Sequence, residues 1–306
     1  MSRGLGDVYK RQDKYGQKVI KGAMLKDYTT FKIGGEAKIL IEISSSDALC
    51  ELIKSLNRFE IKYMILGRGS NILFDDKGYN GVILHIGHEY ADIKSDGNII
   101  CAKSGASLTS VCSTALKCGL SGLEFAYGIP GTVGGAVFMN AGAYGGEMKD
   151  VLVSCKVIDR EGNIKTVKAK DMDLSYRHSI FQKNGEVILS ADLRLDESKS
   201  RREIEEKMND LLGRRKAKQP LEYPSAGSTF KRPEGYFAGK LIEDSGLKGY
   251  TVGKAAVSEK HSGFVINLGG ATFKDVTALI GDVQDKVLKD SGQVLECEVM
   301  IKRFED

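Results

Sequence analysis

The sequence predicts an α+β fold built from three modules, and three observations carry that prediction. Segments 38–43 (KILIEI) and 61–66 (IKYMIL) read as strands on either side of an amphipathic helical stretch, so the chain opens on a β-α-β unit. From about 90 to 198 short strands flank a single helix and a long glycine-rich stretch. Near the C-terminus a strongly amphipathic helix precedes a last strand.

Residues 1–17 fit no helix or strand pattern, and they lack the apolar region and small-residue cleavage site of a secretory signal. They are expected to be a disordered or non-native leader. The first module spans 18–88. Its helix carries Leu49, Leu52, Ile53 and Leu56 at helical spacing behind the capping candidates Ser45, Ser46 and Asp47. A further strand is expected at 82–86, with parallel pairing inside the module. The second module spans 89–198, with strands at 98–102, 151–159, 163–168 and 186–195 and a helix near 107–118. Val187, Leu189, Ala191, Leu193 and Leu195 alternate with Ser190, Asp192 and Arg194, the pattern of a half-buried strand. The third module, 199–293, begins with a charged connector helix at 199–218 striped by Ile204, Met208, Leu211 and Leu212. The cations Arg214, Arg215, Lys216 and Lys218 at its end suit a helix C-terminus. Val276, Leu279, Ile280, Val283, Val287 and Leu288 mark the amphipathic helix, entered at Thr272 and stopped near Gly292. Residues 294–306 close the chain, with a last strand expected over 294–301.

Composition excludes several classes. Of 306 residues, 42% are hydrophobic and 28% charged, the balance of a globular protein. No apolar run approaches the roughly 18 residues needed to span a bilayer. The net charge of +4, from 45 basic and 41 acidic residues, is too even for a nucleic-acid binder driven by phosphate neutralisation. Cysteines 50, 101, 112, 118, 155 and 297 form no C-x-x-C pair, so free thiols in a reducing cytoplasm are expected. No metal site is expected either: His85 and His88, three apart on a strand, point to opposite faces.

Five stretches carry candidate chemistry. Gly67, Arg68, Gly69, Ser70 and Asn71 follow a strand directly and place several N–H groups in a tight turn that suits a diphosphate. Ile72 stands where a dinucleotide fingerprint needs glycine, and the segment reads equally well as an ordinary turn. Residues 119–146 hold 9 glycines in 28 residues. Within them Gly128, Ile129, Pro130, Gly131, Thr132, Gly134, Gly135 and Ala136 suit close approach of backbone to a flat ligand, with amides aimed at it. Arg177, between Tyr176 and His178, is placed to grip a carboxylate or to make a surface ion pair. Ser228, with Lys231 three residues on, offers a hydroxyl near positive charge or a loop cap; no G-x-S-x-G elbow accompanies it. Glu298, in the last predicted strand, suits acid/base or electrostatic work or a solvated outer face.

Together these stretches resemble the bacterial UDP-N-acetylenolpyruvoylglucosamine reductases, also called UDP-N-acetylmuramate dehydrogenases. The matches are TTFKIGG at 29–35, LGRGSN at 66–71, the block from Gly122 to Gly146, YRHS at 176–179, GSTFK at 227–231 and Glu298-Val299. They come in the family's order over residues 25–304 and resemble its shorter subtype, which lacks an extra tyrosine-bearing loop. The resemblance implies a two-module FAD-binding fold of the vanillyl-alcohol-oxidase (PCMH) type plus a third, α+β substrate-binding module. It implies noncovalent FAD, NADPH as electron donor and UDP-N-acetylglucosamine-enolpyruvate as substrate, in a cytoplasmic monomer that binds neither membrane nor nucleic acid. Gly67 to Asn71 would hold the diphosphate and Gly128 to Ala136 would line the flavin. Arg177 and Glu298 match the catalytic pair, Ser228 the proton donor, and Lys231, Tyr236, Lys248 and His261 substrate contacts. Arg232 stands where the family often has asparagine. Another FAD-dependent oxidase or dehydrogenase of the same fold is the alternative; a nucleotide-sugar binder without catalysis would be colourless.

Overall fold

A computed structural model describes residues 17–306, so the leader expected over 1–17 lies, but for Gln17, outside the described residues. The chain forms two compact units. One comprises residues 17–21, Ile39–Arg68 and Gly81–Arg214; the other comprises Gly22–Lys38, Gly69–Asn80 and Arg215–Asp306. Residues 22–38 and 69–80, expected in the first module, thus group with the C-terminal part of the chain.

In the first unit, the helix Ser46–Arg58 starts where the Ser45 hydroxyl accepts the Ala48 amide. It buries Leu49, Leu52, Ile53 and Leu56 against Ile39, Ile41, Val82 and Leu84. The strand Tyr63–Leu66 pairs in parallel with Tyr79–His85, from Tyr63 opposite Val82 to Leu66 opposite His85. The sheet runs Lys18–Met24, Glu36–Glu42, Tyr79–His85, Tyr63–Leu66, so a later strand separates the two strands of the β-α-β unit.

The second sheet of this unit is antiparallel, in the order Ile164–Lys168, Leu152–Ile158, Val187–Arg194, Ile99–Lys103, Ile93–Asp96. The alternation at 187–195 predicts one buried face, but Val187 through Ala191 are all buried. Two causes combine. The strand lies in the middle of the sheet, between two hydrophobic clusters. The register also slips by one residue between the Lys156–Ser190 and Val157–Ile188 pairs, a bulge that switches the inward face. Val187 and Leu189 enter one cluster, whereas Ile188, Ala191 and Leu193 enter the other.

In the second unit, the sheet runs Ser225–Ser228, Phe264–Asn267, Ala255–Val257, Thr251–Val252. Beside it the helix Phe273–Ser291 begins with a reciprocal Thr272/Asp275 capping box and stops at Gly292, φ 70°. The strand expected over 294–301 shrinks to Met300–Lys302, which pairs in parallel with Ile72–Phe74. This pairing draws 69–80 into the C-terminal unit. Residues 294–299 meet the loop after Ser228 instead of a neighbouring strand, with Leu295 and Val299 buried beneath them. No helix among the described residues is long and apolar enough to cross a membrane.

The helix Phe273–Ser291 separates burial from pattern. Leu279 is 0% exposed and Leu288, on the same predicted stripe, 47%. Leu279→Ala is expected to cost about 2–5 kcal/mol in urea unfolding, and Leu288→Ala under about 1 kcal/mol.

Candidate active site

Within the first unit, the strand Tyr63–Leu66 delivers Gly67 and Arg68 to the surface. A Cβ on Gly67 would stand 2.6 Å from the Thr132 hydroxyl, so the strand-end turn and the glycine block meet there. Thr132 is buried and caps the short helix Val133–Phe138 by accepting the Gly135 amide at 3.4 Å. The next amides are spent inside the protein: Val133 donates to Ala106 O (2.9 Å), Gly134 to Ser104 O (2.8 Å) and Ala136 to Thr132 O (2.8 Å). This corrects the expectation that amides throughout the block aim at a ligand. A helix starts inside the motif, and its first N–H groups must find partners.

What the block offers instead is bare surface. Pro130 and Gly135 are exposed, and Gly128, Ile129 and Gly131 half-buried. A Cβ on Gly131 or Gly135 would come no nearer than 3.7 or 3.6 Å to any atom. Ser104 Oγ, on the residue that accepts the Gly134 amide, is buried without a partner among the described residues. An open glycine face, an unsatisfied hydroxyl behind it and the exposed Arg68 fit a flat heteroaromatic ring with an anionic tail.

Arg177 also belongs to this unit. Ser175 and His178 exchange hydrogen bonds (3.2 and 3.1 Å), leaving Tyr176 and Arg177 at the tip of a tight turn. Arg177 has φ 55°, its Nη2 donates to Gly142 O (3.2 Å), and its guanidinium lies 5.0 Å from the Tyr176 ring centroid. Lys149, Asn140 and Arg177 hold the nearby Glu147 below the usual carboxylate range.

Within the second unit, Gly69 has φ 61°, and its Cβ would fall 2.2 Å from Tyr28 O. The Asn71 carboxamide donates to Glu298 O (3.1 Å), and Asn71 O accepts the Met300 amide (3.0 Å). Asn71, expected at a diphosphate, therefore also fixes the segment carrying Glu298. Ser228 ends its strand opposite Phe264. Its neighbour Thr229, 1% exposed, donates to Gly263 O (2.8 Å), accepts the Val265 amide on its hydroxyl (2.9 Å) and accepts the Glu298 amide on its carbonyl (2.8 Å). Ser228 and Glu298, 70 residues apart in the chain by their numbers, are thus one backbone hydrogen bond from being neighbours.

The expected substrate contacts are more dispersed. Lys231 Nζ lies 3.2 Å from Glu296 and Lys248 Nζ 3.3 Å from Glu243, both on the surface. Tyr236 is exposed, and Arg232 stacks at 4.6 Å on the exposed Phe237 ring. His261 is half-buried, edge-on to Phe264, and its Nδ1 accepts the Gly263 amide at 3.1 Å. Burial holds its pKa below the ordinary value, against a smaller opposing pull from its own backbone and Glu243. Sequence reasoning missed Asn140, Thr229 and Gln182. Asn140 is the lone carboxamide in the glycine block, which was a usable signal; Gln182 gave none.

Family profiles match an N-terminal and a C-terminal stretch of the chain. A profile described as "FAD binding domain" matches residues 37–168, and one described as "UDP-N-acetylenolpyruvoylglucosamine reductase, C-terminal domain" matches 219–302. The UDP-N-acetylenolpyruvoylglucosamine reductase of Clostridium perfringens (strain SM101) is 48% identical over 97% of this chain and 95% of its own length. That of Agathobacter rectalis is 50% identical over 92% of this chain and 93% of its own. The crystal structure of UDP-N-acetylenolpyruvylglucosamine reductase from Thermus caldophilus superposes with a TM-score of 0.80 at 35% identity, covering 94% of this chain and 99% of that one.

Two outcomes test this geometry. Gly69→Ala must move backbone at Tyr28, so urea unfolding should register a loss of about 1–3 kcal/mol; Gly67→Ala meets only a rotatable hydroxyl and should cost less. In an NMR titration His261 should take up its proton at a lower pH than an exposed histidine. The stability it contributes is complete above about pH 6.5 and declines as pH falls towards its depressed pKa.

Proposed function

The chain belongs to the UDP-N-acetylenolpyruvoylglucosamine reductases, and from that premise we infer how its own residues carry out the reaction. It is an FAD-containing, NADPH-dependent oxidoreductase that converts UDP-N-acetylglucosamine-enolpyruvate to UDP-N-acetylmuramate in peptidoglycan precursor synthesis. FAD, when bound, would supply the hydride chemistry between NADPH and the substrate; the protein supplies position and field.

Gly67 to Asn71 would hold the cofactor's diphosphate, with Arg68 adding charge, and the bare face from Gly128 to Ala136 would lie against its ring. Hydride addition to the vinyl carbon leaves negative charge on the α-carbon and its carboxylate. Arg177 stabilises that charge, because a guanidinium matches a carboxylate in geometry and sign. Ser228 then gives its proton to the α-carbon, completing the saturated lactyl ether. Glu298 orients the arginine, or protonates or polarises the carboxylate. The observation that carries this reading is the Thr229 carbonyl bond to the Glu298 amide, which fixes the acid and the glutamate on one rigid piece of backbone. Lys231, Tyr236, Lys248 and His261 would bind the nucleotide sugar. The same reading makes the enzyme a cytoplasmic monomer that binds neither membrane nor nucleic acid, and it keeps the three-module division, two for the cofactor and one for the substrate.

The purified protein should be yellow and should bleach with NADPH under anaerobic conditions. Ser228→Ala should leave that bleaching nearly unchanged and slow recovery of colour on adding the enolpyruvyl substrate by about 10²–10⁴-fold. Equal slowing of both half-reactions would remove Ser228 from the proton-donor role.

A further inference from the structure

Arginine at 177 occupies a backbone position that its side chain does not favour. The turn Ser175-Tyr176-Arg177-His178 has its only positive φ at the third residue, the place a type II turn gives to glycine. An L-residue there is strained, and such strain persists only where the surroundings over-determine it. Besides the Gly142 carbonyl that accepts from the guanidinium, the surroundings include two carboxamides, the buried Asn140 and the exposed Gln182.

Asn140 is 0% exposed, and its hydrogen-bonding capacity is well used. Its Nδ2 donates to Ser175 O (2.8 Å) and to Glu147 Oε2 (3.0 Å), while its Oδ1 accepts the Lys149 amide (2.9 Å). A flipped amide would lose all three bonds, so its orientation is fixed. Gln182 Nε2 donates to Arg177 O (3.0 Å) and to Phe138 O (3.0 Å), and the buried Ser179 hydroxyl also donates to Phe138 O (2.7 Å). The carbonyls at 175 and 177 are therefore both tied to residues 138–140, at the end of the helix Val133–Phe138. The start of that helix carries Thr132 against Gly67. A helix of six residues, about 9 Å long, thus links the glycine face at one end to the arginine turn at the other.

We propose that Asn140 and Gln182 are positioning residues that hold Arg177 in its left-handed conformation and so aim its guanidinium at the substrate carboxylate. This rests on the role given to Arg177 above. Neither carboxamide is required to touch the substrate; each acts through the turn. A guanidinium released from this turn would still be charged but no longer registered on the carboxylate, and a displacement of about 1 Å is enough to cost on the order of 10²-fold in rate.

The test uses the flavin-loaded enzyme with Asn140→Asp, Gln182→Leu, Arg177→Lys and the Gln182→Leu/Arg177→Lys pair. Asn140→Asp loses both donated bonds and sets a second carboxylate beside Glu147. Gln182→Leu is the milder variant, because Phe138 O keeps its Ser179 partner and the Arg177 carbonyl is open to water. Melting temperature and flavin content report folding, anaerobic bleaching by NADPH reports the first half-reaction, and calorimetry on the oxidised enzyme reports substrate affinity. Gln182→Leu should slow recovery of colour by roughly tenfold or more and weaken substrate binding, while bleaching stays within about twofold. On the Arg177→Lys background it should add less than about twofold, since the group it positions is already gone. An equal loss on both backgrounds, or a normal Gln182→Leu beside a crippled Arg177→Lys, would overturn the proposal. A normal Arg177→Lys would instead overturn the role of the arginine itself. Should Asn140→Asp fail to fold, the Gln182 cycle still decides.

Discussion

A parallel ladder of only three residues, Ile72–Phe74 against Met300–Lys302, sets the register of the C-terminal unit. It is extended on both sides: Met300 donates to Asn71 O at one end, and Asp75 donates to Lys302 O at the other. A ladder this short would not persist alone in water. It is held by the core around it, where Leu73, Phe230, Leu295 and Val299 pack together. Everything proposed for Glu298 depends on that register. A slip of one residue would reverse the face each side chain takes and carry the glutamate away from Thr229. The Asn71 carboxamide on Glu298 O supplies a second, independent lock against such a slip.

The glycines divide by what they make room for. Gly69 and Gly67 are needed because backbone or side chain of the same unit presses against them, Tyr28 O in one case and the Thr132 hydroxyl in the other. Gly131 and Gly135 are different, because nothing of the protein crowds them. Their missing side chains leave bare backbone on the surface proposed for the flavin. Open space alone is no signature of a ligand, since Gly213 and Gly281, inside helices, are equally uncrowded. What distinguishes this stretch is that the open glycines sit beside the Ser104 hydroxyl, unpartnered among the described residues.

Features fixed by local chemistry were legible in the sequence. Ser45, Thr272 and Gly292 cap helices where they were expected, because a cap is decided by neighbours three or four positions away. Features decided across the fold were not. The alternation at 187–195 gives no sign that the strand is central or that it bulges. The apparent strand at 294–301 hides that its first half meets a loop. The motif around Arg177 was visible as a charge between two rings, but not as an arginine in a glycine's place. The candidate site residues were named one by one; the bond that ties Ser228's neighbour Thr229 to Glu298, and the carboxamides behind Arg177, needed the third dimension.

Ser228 is the least acidic of the proposed catalytic groups, and this constrains how it works. Lys231 was the natural source of a field to ease its proton away. Its ammonium instead lies 3.2 Å from Glu296, with side-chain exposures of 40% and 70%. An exposed pair of this kind projects little net charge beyond itself, because solvent and the partner screen it. The neighbouring backbone, by contrast, is fixed at Thr229 by three hydrogen bonds in a buried setting. The rate advantage proposed for this serine then rests on placement: a hydroxyl held where the α-carbon would gain its charge would give up its proton to a strong base, and would need no unusual acidity to do so. On this view the polar network beneath Ser228 matters more to the reaction than the lysine beside it.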